Sequence, residues 1–308
     1  MTAPQNAAVV TGCTGAIGNA LLRRLADEGR QVFAVVRPDS PRNVSLPHHP
    51  AIRQIPCGLD ALQTLPERIG CKCECFFHLG WMGTFGDARN AMHMQTANIE
   101  AALCAAEAAH ALGCRVFIGA GSQAEYGRKN VPLTPSLPVF PENGYGIAKL
   151  CAGQMTRQLC DSLGMTHIWM RILSVYGPHD GEKTLVMSVL RDLLAGRTPE
   201  CTGGEQIWDY LYCEDAAEAL CMAARCRQSA VYCLGGGEAR PLRDYITEMR
   251  DAVDPQCTVA FGARPYAPAQ VMYLTADLSA LTADTGFVPR TPFPEGIRKT
   301  LAWIRADR

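Results

Sequence analysis

Long uncharged hydrophobic runs are missing from this chain of 308 residues. None approaches the roughly 18 residues that a membrane-crossing helix needs. A surplus of either charge is missing too, with 29 Lys and Arg set against 30 Asp and Glu. A net charge of -1 gives no field for gripping nucleic acid or an anionic lipid surface. The opening residues 1–10 lack a basic stretch followed by an apolar one, and no repeat or low-complexity tract follows. The expectation is a soluble cytoplasmic protein with a small-molecule partner. Hydrophobic residues make up 48% of the chain, ample for a core.

Cysteine is abundant instead, at 15 residues, so spacing must decide what it means. Most cysteines stand singly inside apolar stretches, where the thiol behaves as a small hydrophobe. Cys71, Cys73 and Cys75 alternate, which puts three sulfurs on one face of an expected strand running into Phe76 and Phe77. Two-residue spacing suits a tetrahedral zinc site poorly. His78, His93 and His110 have no partner at ligand spacing either, so no metal site is expected.

The order of apolar periodicities predicts strands at 7–11, 31–36, 51–56, 73–79, 115–120 and 167–173. Helices are expected at 16–28, 88–112 and 145–163, each closed by a glycine. Such alternation implies parallel βαβ units in an α/β Rossmann fold, a doubly wound parallel sheet. After Gly177 the alternation fades into helices at 184–195, 214–226, 241–253 and 294–306, with short strands at 231–234 and 258–261. This predicts a dinucleotide-binding domain over 1–177 and a smaller C-terminal substrate-binding lobe over 178–308, with some chain crossing back.

The first turn reads Thr11-Gly12-Cys13-Thr14-Gly15-Ala16-Ile17-Gly18, between a strand and a helix. Gly12 suits a tight turn, Gly15 close approach to a pyrophosphate, and Gly18 close packing of helix on sheet. At the end of the second strand, where NAD enzymes place an acid for the ribose hydroxyls, stands Arg37. A guanidinium matches a 2′-phosphate, so NADP is expected, with NAD as the alternative. Farther on, Tyr145 and Lys149 lie one helical turn apart and Ser122 follows a strand. An ammonium beside a phenol lowers the phenol's pKa towards working pH, and Ser122 is placed to hold the substrate oxygen.

These stretches, with the Phe-Phe-His-Leu-Gly run ending at Gly80 and residues 121–127, 171–178, 206–215, 277–281 and 286–289, make the chain resemble the extended short-chain dehydrogenase/reductases. Within them it is similar to the NAD-dependent epimerase/dehydratase family, and most to CDP-abequose-synthase-like nucleotide-sugar 4-ketoreductases. The resemblance implies Ser122, Tyr145 and Lys149 as the catalytic set. It implies a cofactor site of Gly12, Thr14, Gly15, Ala16, Ile17, Gly18, Arg37, Leu79, Gly80, Trp81, Asn98, Tyr145, Lys149 and Leu173. Gln123, Ser174, Thr202, Trp208 and Arg264 would face the substrate. Homodimers pairing helices 88–112 and 145–163 are also implied.

Departures from the family pattern narrow the reaction. The Asp-Glu pair that 4,6-dehydratases carry after the catalytic hydroxyl is replaced by Gln123 and Ala124, and Glu125 comes one residue late. Without an acid to protonate a leaving hydroxyl, dehydration is disfavoured. Hydride transfer remains, as a 4-keto reduction of a nucleotide-linked hexose or 6-deoxyhexose, or as an epimerisation. A cofactor-sensing regulator is the reading from another class, and intact Tyr145 and Lys149 oppose it. Trp208 stands where relatives carry a diphosphate-binding Arg, and Ser174 where they often carry Asn. Packing under the lobe and an aromatic platform for a ring are both open to Trp208. Arg264 lies near a second family arginine.

Overall fold

The computed structural model describes residues 6–306. The reading of the chain's opening as free of a targeting segment therefore falls partly, for residues 1–5, outside the described residues. The first half runs β1 (Ala7–Thr11), α1 (Ala16–Asp27), β2 (Gln31–Val36), β3 (Ile52–Pro56), α2 (Leu65–Ile69) and β4 (Cys75–His78). It continues through α3 (Met92–Ala111), β5 (Val116–Ser122), α4 (Gly144–Ser162) and β6 (Thr166–Ile172). The second half holds β7 (Ser174–Tyr176), α5 (Leu185–Leu194), β8 (Glu200–Cys201), β9 (Ile207–Trp208), β10 (Tyr210–Tyr212) and α6 (Cys213–Ala223). Then come β11 (Ala230–Leu234), β12 (Arg240–Pro241), α7 (Leu242–Val253), β13 (Ala260–Phe261), α8 (Ser279–Thr285) and α9 (Phe293–Ala306).

Seven strands form one parallel sheet in the order β11-β6-β5-β4-β1-β2-β3. The strand order reverses between β1 and β4, the switch point where open α/β sheets bind their ligands. The central strands are buried along their whole length, which is why they read as unbroken apolar runs. One core layer joins the sheet to α1, α6 and α8, and the other joins it to α2 and α3. After Gly177, α6 packs on α1, and β11 extends the sheet beside β6.

Three local readings change. The strand expected from Cys73 begins at Cys75, because Cys73 N–H is already committed to Leu112 O and pairing with β1 starts at Ala8. Cys71 and Cys73 therefore lie in the irregular segment before the strand and do not share a strand face with Cys75. The helix expected from residue 88 starts at Met92, preceded by a 3-10 turn at Gly86–Asn90. There Gln95 donates from its amide to Gly83 O and Ala88 O, and Asn90 accepts from Gly144 N–H, so side chains satisfy backbone outside the helix. The short strands of the lobe, two or three residues each, carry no readable period.

Under α4 the indole of Trp169 sits in a slot made by glycines. A Cβ built on Gly153 would lie 2.6 Å from the ring, and Gly119 and Gly121 are equally tight. Gly153→Ala is expected to cost roughly 1–3 kcal/mol through overpacking. A lower urea midpoint would show it, and an unchanged one would mean the indole has room to slide.

Candidate active site

Gly12 leaves β1 with φ 72°, a conformation that suits glycine, and any Cβ there would lie 2.6 Å from the Leu79 carbonyl carbon. The loops after β1 and β4 thus touch at the switch point. A Cβ on Gly18 would strike Gly12 O, so α1 also rests on the turn itself. Cys13 contributes inward, its thiol donating to Val10 O at 3.3 Å and Val35 O at 3.0 Å, with burial pushing the thiol up to about 12.

From this turn a groove of about 890 Å³ runs across the ends of β1, β2 and β4. Gly12, Thr14, Arg37, Gly80 and Trp81 line it, as the sequence led one to expect. Gly15, Ala16, Ile17 and Gly18 build the turn and the first residues of α1, and Leu79 backs Gly12. Arg42, Asp60 and Arg68 line the same groove and were not foreseen, though a second basic residue five positions after Arg37 was a usable signal. Arg42 donates to Thr14 O at 2.7 Å and to His179 O at 3.0 Å, tying the glycine turn to the loop after β7. The close glycine contacts and the helix N-terminus fit the pyrophosphate of a nicotinamide dinucleotide.

Ser122 ends β5, and Tyr145 and Lys149 rise from the first turns of α4, which Asn143 caps by accepting from Gly146 N–H at 2.9 Å. Lys149 is buried. Its ammonium donates to Ala120 O at 2.6 Å and lies 3.7 Å over the Trp81 ring. Burial lowers it to about 7, with the Glu125 charge opposing. The expectation that Lys149 lowers Tyr145 is not met in this structure. Burial raises the phenol, while the Ser122 hydroxyl and the Arg89 charge work against that rise. The reason is placement: Lys149 is turned to the Ala120 carbonyl, and the cation closest to the ring is Arg89, 4.7 Å from its centroid against 5.8 Å for Lys149.

A second cleft of about 600 Å³ opens over this set, and Ser122, Gln123, Tyr145, Leu173, Ser174 and Trp208 all line it. Trp208 donates from its indole N–H to Ser174 Oγ at 2.9 Å, so the two departures from the family pattern are partners. Arg89, Asp180, Lys183 and Tyr210 also line the cleft and were missed, since no spacing connects them to the motifs. Burial raises the Asp180 carboxyl to about 6 despite bonds from Thr184 and Gly181. Thr202 and Arg264 are not brought to this cleft. Thr202 accepts from Gln206 at 3.3 Å, and Arg264 is exposed beside Glu200 at 3.6 Å. Asn98 is buried and clamps Met82 through both its N–H and its carbonyl, so it supports the loop carrying Trp81. Glu125 is withdrawn from the cleft altogether: Ser122 N–H and Trp169 Nε1 donate to it at 2.8 and 2.9 Å, and Arg171 Nε at 2.7 Å. Among the described residues no group of three His, Cys, Asp or Glu side chains is disposed to hold a metal ion.

Fold and site together define an enzyme of the extended short-chain dehydrogenase/reductase class. More narrowly, the chain belongs to the NAD dependent epimerase/dehydratase family, whose pattern matches residues 8–235. Members modify nucleotide sugars by nicotinamide chemistry. The chain is 23% identical to CDP-abequose synthase of Salmonella typhimurium over 310 aligned positions, covering 98% of this chain and 99% of that one. Its fold is similar to UDP-N-acetylglucosamine 4-epimerase of Methanobrevibacter ruminantium, solved with UDP-N-acetylmuramic acid, at TM-score 0.89, 23% identity and 99% of both chains. It is also similar to the UDP-glucose 4-epimerase of Thermus thermophilus in complex with NAD, at TM-score 0.86, 19% identity, 98% of this chain and 100% of that one.

The depressed Lys149 ammonium makes a signed prediction. Its folded pKa of about 7 lies below the ordinary 10.5, so below pH 7 the fold bears the full cost of a buried charge. That cost fades as pH rises from 7 towards 10.5, where both states are neutral. Lys149→Met should therefore be more stable than the parent by about 1–4 kcal/mol at pH 6, with the gap closing by pH 10. Paired urea titrations across that range test it, and a gap that grows with pH would refute the lowered pKa.

Proposed function

We propose that the protein is an NADPH-dependent reductase acting on the 4-keto group of a nucleotide-linked hexose or 6-deoxyhexose. The observation that carries this reading is the contact between the linings of the two clefts. Trp81, which lines the groove with Arg37, meets Tyr145 edge-on at 6.2 Å between ring centroids, and Tyr145 and Ser122 line the second cleft of about 600 Å³. When bound, the nicotinamide supplies the hydride. On the protein side, the Ser122 hydroxyl donates to the substrate oxygen and Tyr145 delivers the proton that converts it to a hydroxyl. Lys149, free of any carboxylate ion pair among the described residues, would exchange the Ala120 carbonyl for a cofactor ribose hydroxyl. Trp208, Tyr210, Val271 and Leu274 supply a wall with apolar faces for the ring and its appendage. The buried, fully bonded state of Glu125 withholds that carboxylate from dehydration chemistry, and the carboxyl that does line the cleft, Asp180, already accepts from Thr184 and Gly181.

Purified protein mixed with NADPH or NADH and a panel of CDP-, dTDP-, UDP- and GDP-linked 4-keto-6-deoxyhexoses tests the proposal. NADPH-selective oxidation with one member supports it. No oxidation, with interconversion of ordinary nucleotide hexoses by enzyme retaining its own cofactor, would make the protein an epimerase. Tyr145→Phe should lower turnover about 10²- to 10⁴-fold while cofactor affinity, measured by fluorescence titration, stays within threefold.

Arg37→Ser should weaken NADPH binding roughly ten- to hundredfold, the worth of a charge-assisted contact of about 1.5–3 kcal/mol, and leave NADH binding nearly unchanged. Equal weakening of both cofactors would remove the case for NADP.

We also propose a homodimer through α3 and α4, which pack on each other and leave Met94, Ile147 and Met155 exposed. Met155→Glu is expected to shift the sedimenting species from dimer to monomer. A monomeric parent protein would end this part of the proposal.

A further inference from the structure

Glu125 lies three residues beyond the catalytic serine, and the fold spends its carboxylate internally. The side chain is completely buried, yet it faces two N–H donors and a guanidinium. Arg171, itself buried, continues from Glu125 to Tyr126 Oη at 2.8 Å and Pro135 O at 3.3 Å. On the other side the Trp169 indole cannot retreat, because Gly119, Gly121 and Gly153 close around it with no room for a Cβ. A Cβ on Gly121 would also meet Glu125 Oε1 at 2.6 Å, so the carboxylate itself is seated in the slot. Both of its oxygens are thus held by groups that are fixed in place.

What this immobile carboxylate grips is the backbone N–H of Ser122. Close by, Ala124 N–H donates to Ser122 Oγ at 3.1 Å. The hydroxyl therefore already accepts one bond, and its proton is left for a partner on the open side, where Tyr145 and the cleft lie. A neutral apolar residue at 125 would leave the Ser122 N–H without its acceptor and Arg171 without its counter-charge. Ser122 and Glu125 thus form a reciprocal capping box on the 3-10 turn Gln123–Tyr126, in which the carboxylate fixes the Ser122 backbone and the turn's Ala124 N–H fixes its hydroxyl.

We infer that Glu125 is a positioning residue of the active site: held by Arg171 and Trp169, it orients Ser122 as a hydrogen-bond donor to the substrate oxygen. The inference rests on the reading that Ser122 faces the reacting oxygen, and adds the residue that makes it a donor. Preorganised donors of this kind act on the chemical step more than on ground-state binding.

The experiment compares three backgrounds by thermal melt, NADPH affinity, KM and kcat. Glu125→Val combined with Arg171→Met removes both charges together and strands neither. It is expected to lower kcat at least hundredfold with KM and NADPH affinity within threefold. Glu125→Gln combined with Arg171→Met, which keeps an amide oxygen to accept from Ser122 N–H and strands no charge, should stay within about tenfold of the parent. Ser122→Ala should cost hundredfold in the parent but less than threefold in the valine double variant, since Glu125 acts through Ser122. Should the valine double variant not fold, Trp169→Phe keeps a ring in the slot and removes one donor, and kcat should fall several-fold at constant KM.

A folded valine double variant with parental kcat, or a full Ser122→Ala cost in both backgrounds, would overturn the inference. Hydrogen exchange supplies an arm that needs no substrate: the Ser122 amide should be protected in the parent and exchange at least hundredfold faster in the valine double variant. An unprotected amide in the parent overturns the inference whatever the substrate. A parent that turns over no nucleotide sugar while keeping that protection would instead count against the reductase reading alone.

Discussion

The tips of β1 and β4 meet with no side chain between them, and much else follows from that contact. Gly12 presses its bare Cα against the Leu79 peptide, and Thr11 Oγ1 accepts from Gly80 N–H at 3.0 Å while sharing a hydrogen bond with His78 Nδ1 at 3.1 Å. His78 is fully enclosed, and burial lowers it to about 3, so it stays neutral and adds no charge below the groove. Because the two loops are locked together, the groove and the Trp81 that lines it keep fixed places. Trp81 then shapes the catalytic set, offering its ring to Lys149 and an edge to Tyr145 at 6.2 Å between centroids.

Charge inside the site is arranged by burial more than by pairing. Lys149 sits under Trp81 with a carbonyl as its hydrogen-bond acceptor, which is costly for an ammonium and lowers its pKa. Arg171 and Glu125 meet the opposite condition, a buried pair whose remaining donors and acceptors are satisfied by Trp169, Tyr126, Pro135 and Ser122. Lys149 thereby stands without a carboxylate ion pair among the described residues, and the other two charges are withdrawn into the scaffold. That division separates a residue able to titrate with function from residues that hold geometry.

Trp208 and Ser174 show a different kind of coupling. Each looks like a loss when compared singly with the family pattern, one of a cation and the other of an amide. In space they bond to each other across β7 and β9 and close one wall of the second cleft. The indole thus has its N–H satisfied, and its ring packs against two core clusters while lining the cleft. Arg264, by contrast, stands on an exposed loop beside Glu200 and leaves that wall uncharged.

The parallel sheet, its long helices and the glycine turn were legible in the sequence because local pattern encodes them, as was the pairing of Tyr145 with Lys149 that is proposed for catalysis. Five-residue apolar strands, helices closed by glycine, a glycine turn after β1 and a Tyr/Lys pair one turn apart are all short-range signals. What only the tertiary structure decided involves residues far apart in the chain. The lobe's short strands, the partnership of Ser174 with Trp208, the arrival of Arg89 over Tyr145 and the capture of Glu125 by Arg171 each depend on packing between distant segments. Sequence spacing carries information about neighbours on one helix or strand. The direction of a buried side chain, and so whether Glu125 serves as an acid or a brace, is set by which donors the fold brings to it.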